Sequence, residues 1–171
     1  MKEYPWYEIV NGKDLFQGDI IYSCPLILPP PKIKDEIEVD IIEYDVIIMS
    51  QSCDLIQKKL ELVLVCPIWP LSEFENKNPS YKDLKRKESL RQGYSPGYHL
   101  LNMCKINGFE SEYLIVDFRS IFSVHFDFLV EFVKEKGDRI RLLSPYREHL
   151  SQAFARFFMR VGLPVDIPPF K

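Results

Sequence analysis

The 171-residue sequence has no CxxC or CxxxC pair among its four cysteines, Cys24, Cys53, Cys66 and Cys104, which argues against a zinc ribbon or a small disulfide scaffold. GxGxxG, Walker, HExxH and GxSxG patterns are all missing, so nothing points to a nucleotide fold, a common hydrolase or a bound cofactor. No uncharged apolar run reaches the about 18 residues of a membrane span. The opening MKEYPWYEIV lacks the basic flank and apolar stretch of a secretory signal. These absences predict a cytoplasmic protein with reduced thiols and no membrane partner. Nor is there an excess of positive charge: 22 Lys and Arg against 25 Asp and Glu give a net charge of -3, so nucleic acid would have to be held by a local basic patch.

What is present is core material. With 46% hydrophobic and 13% aromatic residues the chain has enough apolar side chain for a well-filled core, and its length is that of a single domain spanning 1–171. Three of the four cysteines lie in apolar runs, as buried thiols do. Residues 18–28, GDIIYSCPLIL, predict a strand ended by the prolines at 29–31, which cannot donate ladder hydrogen bonds. Acidic residues then alternate with apolar ones through 32–45, as in a half-exposed strand or loop. The β-branched and leucine runs at 46–49 and 62–68 predict buried strands at the centre of a sheet.

Residues 72–97 are polar and basic and read as a surface insertion with a short helix over about 80–92, stopped near Gly93. A meander of short strands follows over 99–105, 112–118, 120–125, 128–134 and 139–143, with Lys136-Gly137-Asp138 as a hairpin turn. Phe118, Phe122, Phe126, Phe128 and Phe132, at even spacings, predict one core-facing side of that sheet. Ser144 and Pro145 then predict the N-cap and first position of a helix over 145–161. Its apolar stripe is Leu150, Ala153, Phe154, Phe157, Phe158 and Val161, with Gly162 and Pro164 ending it. The fold class expected is mostly β within α+β. It is a small barrel over about 15–143, or a strongly bent antiparallel sheet, carrying a C-terminal amphipathic helix and a short inserted helix.

Several segments, taken in order, resemble the MazF/PemK plasmid-maintenance toxin family: QGDII at 17–21, VIIMSQS at 46–52, LVLVCPI at 62–68, VDFRSI at 116–121, and the helix running into VGLP at 161–164. The resemblance implies an SH3-like barrel and a toxin-antitoxin or phage-defence setting, with RNA or a cognate protein as partner and a homodimer as one assembly. Members of that family cut RNA with an arginine before the second core strand and a Thr or Ser after the proline ending the third. Here Tyr44-Asp45 and Ile68-Trp69 occupy those places, so neither catalytic residue carries over, and an aspartate would repel a phosphate. SQSCD at 50–54 and the tail SPYREHLSQAFARFFMRVGLP are also similar to a group of uncharacterised bacterial proteins, a closer resemblance that implies no activity.

Four chemical arrangements remain open. Cys53 at a strand end, with His99 as base and Asp54 or Asp117 orienting it, would make a thiol enzyme; the alternative is a buried strand-end thiol with Asp54 capping the turn. Cys53, Cys66, His99 and Cys104 are suitable zinc ligands in type but not in spacing, so no metal site is expected. Lys82, Lys85, Arg86, Lys87 and Arg91, flanked by Tyr81, Tyr94 and Tyr98, would follow a phosphate backbone or else form a solvated helix face. His149, Gln152, Arg156 and Arg160 form a polar stripe on the last helix. An RNase built on this chain would draw on Arg91, Arg119 and His99; the rival is a non-catalytic interaction module whose acidic strand and basic helix hold a partner.

Overall fold

The computed structural model describes residues 4–28 and 39–159. The proline run at 29–31, the acidic residues Asp35, Glu36 and Glu38, Arg160, and the expected helix stop at 161–164 lie outside the described residues.

The apolar runs form the long strands. β1 is Tyr7–Val10, β2 Ile20–Leu28, β3 Asp40–Ile48 and β4 Leu62–Pro70, followed by the short β5 Tyr98–Leu101, β6 Leu114–Asp117, β7 Phe122–His125 and β8 Arg139–Leu142. Pairing is antiparallel throughout, in a six-stranded sheet of order β2-β3-β4-β6-β5 with β7 also on β4, and a two-stranded β1-β8 ribbon. β6 and β7 follow one another along β4, with Ile68 opposite Val116 and Val65 opposite Phe122; residues 117–121 stand between them against 66–67 of β4, and Phe118 among them turns into the core. Among the described residues these ladders do not close into a barrel.

Side chains alternate across the central strands and so separate two cores. Ile20, Ile47, Cys66, Ile68 and Val116 face one cluster with Phe118 and Leu150; Ile21, Val46, Ile48, Val63 and Val65 face the other with Leu129 and Val133. Each face is covered by one helix, α5 (Tyr146–Phe158) on the first and α4 (Phe126–Lys136) on the second. The sheet bends at β2, where the register slips between Ile21 and Cys24, Ser23 takes a φ of 50° and its N–H donates to Asp45 Oδ1 at 2.8 Å.

α4 corrects the sequence reading, which made 128–134 a strand of the meander. The apolar residues recur at three and four positions as well as two: Leu129 and Val133 are buried one turn apart, with Phe126 and Val130 beside them. Phe128, at 46% exposed, stacks on Phe132 outside the core. Lys136-Gly137-Asp138 is accordingly a helix-to-strand connection, with Gly137 at φ 82°, and not a hairpin.

The insertion contains more than one helix: α2 (Leu71–Lys77), a 3-10 turn at Pro79–Lys82, and α3 (Leu84–Arg91). Asp83 starts α3, later than the expected start near 80, accepting from the N–H groups of Lys85 and Arg86. The insertion has its own small core, in which Phe74 and Leu90 pack on Tyr98 and Ile115 of the sheet. In α5, helical residues begin at Tyr146, after Pro145; Phe154 and Phe157 reach Phe118, whereas Phe158 is 59% exposed.

Candidate functional site

The SQSCD stretch at 50–54 joins three parts of the fold. Ser50 Oγ accepts from Leu64 N at 2.8 Å, Gln17 Nε2 donates to the Met49 carbonyl at 2.8 Å, Ser52 Oγ accepts from Gln17 N at 3.1 Å, and Gln51 Nε2 donates to Ser151 Oγ of α5 at 3.1 Å. Gln17, Ser50 and Ser52 are therefore polar side chains that satisfy backbone groups where β2, β3 and β4 meet, while Gln51 ties the stretch to α5. After Gln51 the chain forms a short helix, α1 (Ser52–Ile56), which buries Leu55 and leaves Cys53 exposed. The expectation of a buried strand-end thiol is thereby corrected: helical geometry turns Leu55 inward and Cys53 outward. Asp54 receives the Lys59 N–H on its backbone carbonyl at 3.0 Å.

A second cluster was not foreseen. Asp19, fully buried, holds Arg139 and Arg141, which alternate along β8 and so share one face. Arg139 Nε donates to Asp19 Oδ2 at 2.9 Å, and its other nitrogens reach the carbonyls of Gly12 at 2.9 Å and Asp14 at 2.6 Å. Arg141 donates to both carboxylate oxygens and lies over the Phe16 ring at 4.0 Å. Gly18, at φ 86°, makes the approach possible, because a Cβ there would meet Leu142 Cβ at 3.0 Å. The signal in the sequence was the Arg-Ile-Arg alternation inside an apolar strand.

The third cluster lines an open cleft of about 560 Å³ between the end of α3, β5 and α5. His99 comes from β5 and Arg91 from the last turn of α3. His149, Gln152 and Arg156 come from α5, where their spacing of three and four sets them on one stripe beside the apolar face. Burial, and then the neighbouring His149, lower the His99 pKa to about 4, so this imidazole is neutral at pH 7 and stacks at 6.2 Å on Phe118. Arg156 forms no ion pair among the described residues. Arg91 is held by Glu88, with Nε to Oε2 at 2.8 Å and Nη2 to Oε1 at 2.5 Å, and the hydrogen bond from Arg91 draws the Glu88 pKa down to about 2.

Arg119 stands beside this cleft and does not line it. Its guanidinium lies 4.4 Å above the Tyr98 ring, its Nε is 3.2 Å from Asp117 Oδ1, and its stem packs where a Cβ on Gly97 would sit. Cys53, on α1, is not among the cleft residues, so the structure does not bring Cys53 and His99 together. Asp117 is engaged by Arg119. Cys66 and Cys104 lie in the core beneath α5, and no group of three or more His, Cys, Asp or Glu among the described residues is arranged to hold a metal ion.

Of the expected basic surface, Lys82 belongs to the 3-10 turn and Lys85, Arg86, Lys87 and Arg91 to α3. Lys87 Nζ is 2.6 Å from Glu75 Oε1 and Arg91 is paired as above, which leaves Lys82, Lys85 and Arg86 without an ion pair among the described residues. Tyr81 is folded against Phe74 and Tyr98, whereas Tyr94 is 74% exposed at the cleft end of the helix.

No family model, curated protein or solved structure matches this chain. No helix among the described residues is long and apolar enough to cross a membrane.

Proposed function

We propose that this protein binds single-stranded RNA in the cleft between α3, β5 and α5. The observation that carries the reading is the convergence of Arg91, His99, His149, Gln152 and Arg156 on one open space. Lys82 of the 3-10 turn and Lys85 and Arg86 of α3, outside the cleft lining and without an ion pair among the described residues, would add a cationic approach from the insertion. Arg156, without an ion pair among the described residues, offers its guanidinium to a phosphate, Gln152 and the imidazoles offer hydrogen bonds to sugar or base edges, and Tyr94 offers a ring for stacking. In this reading the bent sheet is an SH3-like barrel opened along one seam. The protein belongs to a toxin-antitoxin or phage-defence setting in the cytoplasm, supported by the residues that resemble the MazF/PemK family.

Fluorescence anisotropy with a labelled single-stranded RNA tests it. Arg156→Ala should weaken binding and lower the slope of log affinity against log salt by about 1, because one phosphate contact is lost. Lys85→Ala should act similarly, whereas Lys134→Ala, on α4, should leave binding unchanged. Affinity that is insensitive to salt and to Arg156→Ala would refute the reading. Should the RNA also be cut, cleavage that persists in EDTA and disappears in His149→Ala would assign proton transfer to the cleft imidazoles.

A further inference from the structure

Residues 117–120 form a turn that sends consecutive side chains to the two faces of β5. Asp117 Oδ1 accepts from Arg119 N at 3.0 Å, and the Asp117 carbonyl accepts from Ser120 N at 3.4 Å. Phe118, fully buried, enters the core and stacks at 6.2 Å on His99, whereas Arg119 returns over the neighbouring residue, Tyr98. Tyr98 and His99 point to opposite faces of the strand, and both line the cleft, so this one turn supports the β5 wall from two sides.

Arg119 is held at three points. Its guanidinium lies 4.4 Å from the centre of the Tyr98 ring, its Nε donates to Asp117 Oδ1 at 3.2 Å, and its stem packs on Gly97, where a Cβ would come within 3.2 Å of Cγ and Cδ. The side chain is nonetheless 55% exposed, and its two terminal nitrogens form no hydrogen bond among the described residues. Asp117 is only 12% exposed, so the pair turns its positive end to water. A surface ion pair adds little stability, while fixing a long side chain costs entropy. The same restraint lowers the cost of gripping an anion, because the fork of donors is already in place. The geometry points to Arg119 as a further phosphate contact, which grips the RNA where the strand leaves the cleft past Tyr98, with Asp117 and Gly97 as its positioning residues. This rests on the reading of the cleft as an RNA site and adds to it a contact outside the cleft lining.

The probe is a labelled single-stranded RNA decamer, followed by anisotropy with the full chain. Arg119→Ala should weaken binding roughly tenfold and lower the salt slope by as much as Arg156→Ala does. Arg119→Lys should not restore affinity, since an ammonium neither lies flat on Tyr98 nor offers two parallel donors. Both variants should melt close to the parent, because the ion pair they remove is a surface one. Gly97→Ala brings no charge change, yet it should weaken binding by displacing the Arg119 stem, and it should add nothing to Arg119→Ala. A dinucleotide, short enough for the cleft alone, should lose less than the decamer when Arg119 is replaced. Decamer binding that falls in Arg156→Ala and not in Arg119→Ala would overturn this inference and leave the cleft reading standing; no binding by the parent would overturn both. Full rescue by Arg119→Lys, or an equal loss from Gly97→Ala with and without Arg119, would remove the positioned fork. Polyglutamate bound as tightly as RNA, with the same dependence on Arg119, would assign the arginine to an acidic protein instead.

Discussion

Arginines gather at two places in this chain, and the two are built in opposite ways. Around Asp19, Arg139 and Arg141 are withdrawn from water, bonded to one carboxylate and to the carbonyls of Gly12 and Asp14, so little of their hydrogen-bonding capacity is left over. In the cleft, Arg156 and Arg91 are exposed beside two imidazoles, and among the described residues only Arg91 has a carboxylate, an exposed one. A saturated cluster holds strands together; an unsaturated one is available to a ligand. The sharpest way to break the comparison is Asp19→Ala. It should cost about 3–5 kcal/mol, the loss expected when a buried charge is left without its partner, as read by urea denaturation. Arg156→Ala should change stability by no more than about 0.5 kcal/mol. Similar losses in both would erase the distinction.

His99 belongs to the cleft yet is half-buried, and this makes the site acid-sensitive. Its pKa of about 4 in the folded chain lies below the ordinary value of 6.5, with His149, Arg91 and Arg156 sharing the cleft and none of them acidic. Between these values the unfolded chain binds the proton and the folded chain does not, so the stability present above pH 6.5 is lost progressively as pH falls toward 4. At pH 5 the expected loss is on the order of 2 kcal/mol from this residue. Urea denaturation at pH 7 and pH 5 should show that the pH 5 loss is smaller by this amount in His99→Phe, whose ring keeps the stacking on Phe118.

A smaller effect is expected at the entrance. Asp83 accepts two N–H groups at the start of α3, and α3 carries Arg91 to the cleft. Asp83→Ala should destabilise the helix by about 1 kcal/mol, seen as faster hydrogen exchange over 84–91, with little change in the exchange of β3 and β4. Uniform acceleration across both would mean that the insertion and the sheet open together.

The central strands and the last helix were legible because their signals are local. The runs at 46–49 and 62–68 and the three-and-four spacing of Leu150, Phe154 and Phe157 each fix an element without reference to the rest of the chain. α4 was not, because phenylalanines at 126, 128 and 132 satisfy a period of two while Leu129 and Val133 satisfy a helix; packing beneath β2 and β7 decides between them. β1 was overlooked because it is only four residues long and depends on β8, distant in sequence. The cleft needed tertiary contact as well. His99 and the His149 stripe were each visible, but their meeting depends on Phe118 lying between β5 and α5.

The smallest expected effect concerns the thiols, which repeat the contrast between enclosed and open sites at single-residue scale. Cys24 and Cys66 are fully buried, and burial raises their pKa values to about 11 and about 12, so near pH 8 almost none of either is thiolate, the form that reacts. Cys104 is enclosed in the same core as Cys66. Cys53 alone is exposed, on a five-residue helix whose packing depends on Leu55. Iodoacetamide at pH 8 should therefore add one group to the native protein, located by mass spectrometry at Cys53, and four groups only after unfolding. Cys53→Ser should alter stability by less than about 0.5 kcal/mol, since the side chain leaves no cavity behind. Labelling of Cys66 at the same rate would show that the core beneath α5 opens readily. That would also undercut the account of His99, because Phe118 links the two.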